Sequence, residues 1–287
     1  MREFGRVGVV GCGLMGSGIA EVCARAGLDV LVAERGEEAL AAGRSRITAS
    51  LDRGLRSGKL SADEREAALG RLEFTTDLDE FADRDLVVEA VAEQPDVKTA
   101  VFKELDRVLG DGDAIIASNT SSIPIIDLAA VTSRPQQVVG VHFFNPVPVQ
   151  RLVEVIPTQL TAQSVTDAVT DFAERRLGKT VVHAQDRAGF VVNALLIPYL
   201  VSAVRMLESG AASAEDIDNG MVLGCAHPMG PLRLLDLIGL DTAQSIAESM
   251  YDEFKEPLYA PPPLLRRMVA AGALGRKSGR GFYAYDS

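Results

Sequence analysis

Short apolar runs alternate with amphipathic stretches through the first part of the chain. Val7–Val10 reads as a buried strand, the segment Gly11-Cys12-Gly13-Leu14-Met15-Gly16 follows it, and residues 19–26 have helical character. Leu28–Ala33 is a second strand ending at Glu34, which completes one βαβ unit. Residues 37–70 carry charges on one side and Ala, Leu and Ile on the other, interrupted at Ser57-Gly58-Lys59. Ser61 with Glu64 three positions on spells a capping box. Two helices are therefore expected here, an excursion longer than a simple crossover. The next strand is expected at Leu86–Val91, then a helix over Asp96–Leu109 and strands at Ala114–Ala117 and Val138–Val141. Leu152–Ile156 and Thr180–Val182 read as two more strands, with a helix over about residues 164–176 between them.

This alternation predicts an α/β fold, a Rossmann-type doubly wound sheet that is mostly parallel and covered on both faces. From Phe190 onward only helical runs remain: about 189–209 with Pro198 inside it, Ala214–Leu223 entered through Ser213, and others from Leu232 and Leu264. The pattern changes between residues 184 and 189. The expected organisation is an α/β domain over 1–186 and an all-α domain over 187–287.

A chain of 287 residues with 47% hydrophobic content can bury a sizeable core. The net charge of −11 argues against nucleic acid and anionic membrane surfaces as general partners, while leaving room for a local basic patch. Cys12, Cys23 and Cys225 are odd in number and widely spaced, which predicts neither a disulfide framework nor a metal site. No apolar run reaches the roughly 18 residues of a membrane helix. Nothing resembling a signal peptide precedes the first strand, so a cytoplasmic protein is expected.

Gly11-x-Gly13-x-x-Gly16 follows a strand, opens a helix and has an acid downstream, as a dinucleotide fingerprint requires. Gly11 allows the tight turn, Gly13 a close backbone approach to a pyrophosphate, and Gly16 helix–strand packing. Glu34 is placed to hold the ribose hydroxyls, which favours NAD; Arg35 beside it leaves NADP open. The bland alternative is a tight βα turn with no ligand.

Ser118-Asn119-Thr120-Ser121-Ser122 and His142-Phe143-Phe144-Asn145-Pro146 are polar clusters at the ends of two successive apolar runs. Ligands of open α/β sheets sit outside such carboxyl ends. Glu154 lies inside Leu152-Val153-Glu154-Val155-Ile156, where a buried charge needs a partner and a histidine would suit. Together with the glycine loop, this suggests hydride transfer with a histidine acid/base. Competing readings are an edge strand with Glu154 in water, and serines that merely cap a helix begun at Ile123-Pro124. His183 and His227 fit chemistry less well.

These motifs carry a resemblance. Gly11–Ala20, Ser118–Ser122, His142–Pro148, Leu152–Val155, Gly189–Asn193, His227–Leu232 and Gly275–Tyr283 are similar to segments of the 3-hydroxyacyl-CoA dehydrogenases, above all the short bacterial 3-hydroxybutyryl-CoA dehydrogenases. The resemblance spans essentially the whole chain. It implies reversible NAD-dependent oxidation of a (3S)-3-hydroxyacyl-CoA, with His142 as general base and Glu154 as its orienting partner. It implies Ser121 and Asn193 as the groups that bond the reacting oxygen, in a cleft between the domains. By the same resemblance Gly11, Gly13, Leu14, Met15, Gly16, Glu34, Glu89, Glu93, Lys98, Ser121, Asn145 and Lys277 contact the cofactor. The helical half is then a dimerisation domain, and a homodimer is expected.

Coenzyme A is polyanionic, and residues 44–59 carry Arg44, Arg46, Arg53, Arg56 and Lys59 against the single acid Asp52. A solvated helix face is the bland alternative. Family members place a serine and a lysine seven apart here; Ser50 matches the first, Ser57 replaces the second, and Arg56 or Lys59 is available instead. Ser50, Arg53, Arg56 and Lys59, with Ser121 and Asn193, are the expected substrate contacts. Further departures are Glu34 where aspartate is common and Ala188 where proline is. Two rival functions remain: a dehydrogenase of a carrier-protein-bound hydroxyacyl group, and a non-catalytic NAD-binding dimer.

Overall fold

The computed structural model describes residues 3–110 and 112–285. The chain forms two compact units, one ending at Arg187 and one starting at Ala188.

The first unit is built on β1 (Arg6–Val10), β2 (Asp29–Ala33), β3 (Leu72–Thr75), β4 (Leu86–Glu89), β5 (Ile115–Ser118), β6 (Val138–Phe143), β7 (Leu152–Pro157) and β8 (Thr180–His183). They form one sheet in the order β3-β2-β1-β4-β5-β6-β7-β8. Every neighbouring pair is parallel except β6 and β7. Eight residues, 144–151, join those two strands, too few for the crossover that a parallel pair requires. The helices are α1 (Leu14–Arg25), α2 (Glu37–Arg56), α3 (Ala62–Leu69), α4 (Pro95–Leu109), α5 (Ile125–Ala129) and α6 (Gln163–Asp171), the last extended by a wide turn over Phe172–Arg176. β4 and β5 are buried at every position and β1 and β2 at all but the first, as expected of strands covered on both faces.

Strand β3 is absent from the sequence-based expectation. It is four residues long, lies at the sheet edge and is only partly buried, so its Leu-Glu-Phe-Thr carries almost no apolar signal. The capping box stands: Ser61 accepts from the Glu64 amide and Glu64 from the Ser61 amide.

Gly11 sits at φ +92° with the Ala90 carbonyl 2.7 Å from where a Cβ would stand. At Gly16 a Cβ would fall 1.8 Å from the Gly11 carbonyl oxygen. Both positions demand glycine, because α1 starts directly against the end of β1.

The second unit holds α7 (Val192–Glu208), α8 (Ala214–Cys225), α9 (Pro231–Ile238), α10 (Leu240–Phe254) and α11 (Pro263–Ala270). Its core includes Ile197, Leu200, Val204, Leu235, Ala247 and Met250. Ser213 caps α8 by accepting from the Asp216 amide. Buried Asp236 accepts from the amides of Phe282 and Tyr283 and from the Tyr285 hydroxyl, which ties the last residues to α9. Among the described residues, no helix is long and apolar enough to cross a membrane.

Candidate active site

His142 and Glu154 are directly opposed residues of the antiparallel pair β6–β7. Opposed side chains on such a pair point to the same face. Glu154 Oε2 accordingly lies 2.7 Å from His142 Nδ1, with Glu154 fully buried and His142 nearly so. β7 is internal, between β6 and β8, so the edge-strand reading of Glu154 fails. A carboxylate accepts, so Nδ1 carries the proton and Nε2 presents its lone pair. Ser121 Oγ is 3.0 Å from Nε2, and its hydroxyl donates to that lone pair. Phe144 packs edge-on against the imidazole.

The serine segment does not cap α5. That helix starts at Ile125, and the Asp186 carboxylate accepts from the amides of Ile125 and Ile126 at 2.8 and 2.7 Å. The serines turn instead to Glu93. Its Oε1 accepts from Thr120 Oγ1 (2.5 Å), Ser121 N (2.9 Å), Ser122 N (3.0 Å) and Ser122 Oγ (2.9 Å). Burial opposes the Glu93 charge, but Lys98 and these four donors outweigh it and hold the carboxyl below the usual range.

Lys98 links this loop to the sheet. Its Nζ is 2.6 Å from Glu89 Oε1 and 3.2 Å from Glu93 Oε2, with Lys98 and Glu89 both buried. Glu89 Oε2 accepts from Ser118 Oγ at 2.7 Å, its cross-strand neighbour on β5. Asn119 Oδ1 accepts from the Phe143 amide at 2.9 Å and so clamps the two strand ends together. Glu89, Glu93 and Lys98 thus form a continuous network behind Ser121.

A cavity of about 430 Å³ opens over the glycine loop, lined by Gly11, Gly13, Glu34, Arg35, Val91 and Gln94 among others. Nothing stands within 4 Å of the place a Gly13 Cβ would occupy, and α1 begins with no side-chain cap. An uncapped helix start with open space before it suits a pyrophosphate. Glu34 is held at the rim by the amides of Cys12 (2.6 Å) and Arg35 (3.2 Å). Leu14 is largely exposed and Met15 half-buried beside it. Sequence reasoning missed Thr76, Leu78, Val97 and Val101 in the cavity wall. Thr76 follows the missed strand β3, and Val97 and Val101 sit four apart on one face of α4.

The basic run does not act as one surface. Arg44 stacks on Phe74 and Arg46 donates to the Cys12 carbonyl. Ser50 and Arg53 line a cavity of about 280 Å³ with Asn145 and Glu21. Lys59 lines another cavity, and Arg56 is exposed on the last turn of α2. Asp52 is tied to Arg65 at 2.7 Å.

In the second unit Asn193 is buried in the first turn of α7, and Lys277 Nζ lies 2.7 Å from the Asp241 carboxylate. His227 Nδ1 is 3.2 Å from the Tyr199 hydroxyl. His183 ends β8 exposed.

Comparison with known proteins supplies the family. Residues 6–187 match the model of the 3-hydroxyacyl-CoA dehydrogenase NAD binding domain, and residues 189–285 match that of the 3-hydroxyacyl-CoA dehydrogenase C-terminal domain. The chain is 60% identical over 280 residues to a 3-hydroxybutyryl-CoA dehydrogenase of Mycobacterium tuberculosis, covering 98% of each. It is 42% identical to the mitochondrial hydroxyacyl-coenzyme A dehydrogenase of Sus scrofa, covering 97% of this chain and 90% of that one. The crystal structure of M. tuberculosis FadB2 superposes with a TM-score of 0.98 at 58% identity, over 99% of this chain and all (100%) of that one. That of (S)-3-hydroxybutyryl-CoA dehydrogenase PaaH1 from Ralstonia eutropha gives 0.93 at 45% identity, over 99% and 100%. With each half matched by its own model and these relatives alike over nearly their whole length, the chain belongs to the 3-hydroxyacyl-CoA dehydrogenase family.

Proposed function

We propose that the protein catalyses the reversible NAD-dependent oxidation of (3S)-3-hydroxybutyryl-CoA to acetoacetyl-CoA. The observation that carries this reading is the alignment of Glu154, His142 and Ser121, with contacts of 2.7 and 3.0 Å on the two ring nitrogens. Family membership and the named relatives supply the substrate class.

A bound NAD, held at the glycine loop and Glu34, would supply the acceptor for the hydride of carbon 3. His142 Nε2 removes the hydroxyl proton as the hydride leaves, and the adjacent Glu154 charge stabilises the imidazolium that forms. A positioned base of this kind is worth about 10² to 10⁴-fold. In the reverse direction the imidazolium and Ser121 donate to the carbonyl oxygen as it gains charge. Asn193 is assigned a second hydrogen bond to that oxygen, on the strength of the resemblance. Losing one such donor costs about 10² to 10³-fold.

Glu34 at the cavity rim favours two free ribose hydroxyls over a 2′-phosphate, so NAD is the preferred cofactor. The residues named for the pyrophosphate are Gly13 and the first turn of α1. Lys277 is assigned to the cofactor by resemblance alone. The protein is further read as a homodimer joined through its helical unit; Leu195, Met206 and Leu223 there are 76%, 49% and 82% exposed, which supports an apolar contact surface.

The deciding experiment follows consumption of NADH, and separately NADPH, by the purified protein with acetoacetyl-CoA. Rapid turnover with NADH and slow turnover with NADPH is expected. No turnover with either overturns the reading.

A further inference from the structure

The two peptide groups that flank Cys12 are each held from a different element. Glu34, directly after β2, accepts from the Cys12 amide at 2.6 Å. Arg46, on α2, donates from Nη1 to the Cys12 carbonyl at 2.9 Å, across 34 residues of chain. Gly43, one turn earlier on α2, lets the helix come this close. A Cβ there would stand 2.5 Å from Cys12 Sγ and 3.2 Å from the Cys12 carbonyl oxygen. Cys12 adds no charge of its own, because burial and then Glu34 push its thiol up to about 12, against a smaller opposing pull from Arg46.

In a trans peptide the C=O and the N–H point in opposite directions. The Cys12 carbonyl shares its peptide with the Gly13 amide. A donor that fixes the carbonyl on the α2 side therefore also fixes the Gly13 N–H on the other side. Arg46 lines the cavity of about 280 Å³ with Ser50 and Arg53, whereas Gly13 lines the cavity over the glycine loop. The Gly13 amide has no hydrogen-bond partner among the described residues. An unpaired N–H in a cavity wall is a donor held ready for an anion. A cation on the carbonyl also polarises the shared peptide and strengthens that N–H as a donor.

We propose that Arg46 is a positioning residue of the cofactor site: from α2 it fixes and polarises the Cys12–Gly13 peptide, so that the Gly13 amide is presented to the pyrophosphate of the dinucleotide. This role rests on the NAD reading above. Arg46 thereby serves the glycine loop rather than a basic patch for coenzyme A. Glu34 and Arg46 act on the loop from its two sides. Glu34 holds the ribose and the peptide before Cys12, and Arg46 holds the peptide that faces the phosphates. The glycine fingerprint itself gives no sign of Arg46, which lies a whole helix further along the chain.

The test is binding to the full-length protein in the absence of substrate. Fluorescence titration gives the Kd for NADH, and displacement of NADH gives the values for ADP-ribose and adenosine. ADP-ribose keeps the pyrophosphate; adenosine keeps only the part that Glu34 holds. Arg46 is exposed, so Arg46→Met removes the donor and the charge without opening the core. In this variant the Kd for NADH and for ADP-ribose rises about tenfold, the scale of one hydrogen bond to a charged group, while that for adenosine stays within about twofold. Arg46→Lys, which keeps a cationic donor, recovers most of the loss. Arg267→Met, at an exposed position of α11, controls for the change in net charge and leaves all three values in place. Unchanged NADH binding in Arg46→Met overturns the proposal. So does an equal loss for adenosine, which would mean that Arg46 only shapes the cavity. A wild-type protein that binds no NADH would instead overturn the cofactor reading, so the two failures are distinguishable.

Discussion

His142 owes its chemistry to what holds each of its two nitrogens. Glu154 occupies Nδ1 from the neighbouring strand, and that leaves Nε2 facing Ser121. Replacing His142 with glutamine removes the base while keeping a polar side chain. Turnover is expected to fall by at least the roughly 10²-fold that general base catalysis supplies, with NADH affinity nearly intact. Fluorescence titration of NADH alongside steady-state rates checks this, and near-wild-type rates would refute the mechanism. Glu34 acts at the other end of the site. Glu34→Ala is expected to narrow the preference for NAD over NADP, measured as the ratio of kcat/KM for the two cofactors; an unchanged ratio means Glu34 does not reach the ribose.

Between strands and loops, the decisive element is the turn over residues 119–124, which Glu93 holds from outside with four hydrogen bonds. Its carboxyl titrates below the usual range. The folded-state value is depressed, so its contribution is fully present above the unfolded value of about 4.3. It is lost as pH falls through the lower folded value. Melting temperature plotted against pH should therefore drop on the acid side for the wild type, and part of that drop should vanish in Glu93→Gln. Parallel profiles would refute the role given to Glu93. Beneath it, the Lys98–Glu89 pair is almost wholly buried. Lys98→Met strands a carboxylate in the interior and is expected to cost about 3–5 kcal/mol, read from the midpoint and slope of urea unfolding. A loss under about 1 kcal/mol would show that the pair is dispensable.

At the scale of the molecule, the helical unit exposes Leu195 and Leu223. Light scattering is expected to return twice the monomer mass, with Leu195→Lys/Leu223→Lys shifting it toward the monomer. A monomeric wild type would refute the dimer. The two matched family segments, 6–187 and 189–285, meet next to the boundary between the compact units. A change of pattern at residues 184–189, from alternating strands and helices to helices alone, is expected from the sequence.

Much of the site is legible in the sequence because its parts are local. A glycine loop between a strand and a helix, polar clusters at strand ends, and a glutamate inside an apolar strand each announce themselves within a few residues. Tertiary structure alone decided which residues meet across long separations. Register set His142 opposite Glu154 rather than one residue to either side. Asp186, some sixty residues away, took the capping role expected of the serines, and Glu93 took the serines. The run of arginines on α2 looked like one surface and proved to be several, because a helix turns successive residues toward different neighbours. Local sequence determines what an element is and what chemistry it carries. Only packing decides which elements share a face, since a partner's identity is not written in the spacing of either one.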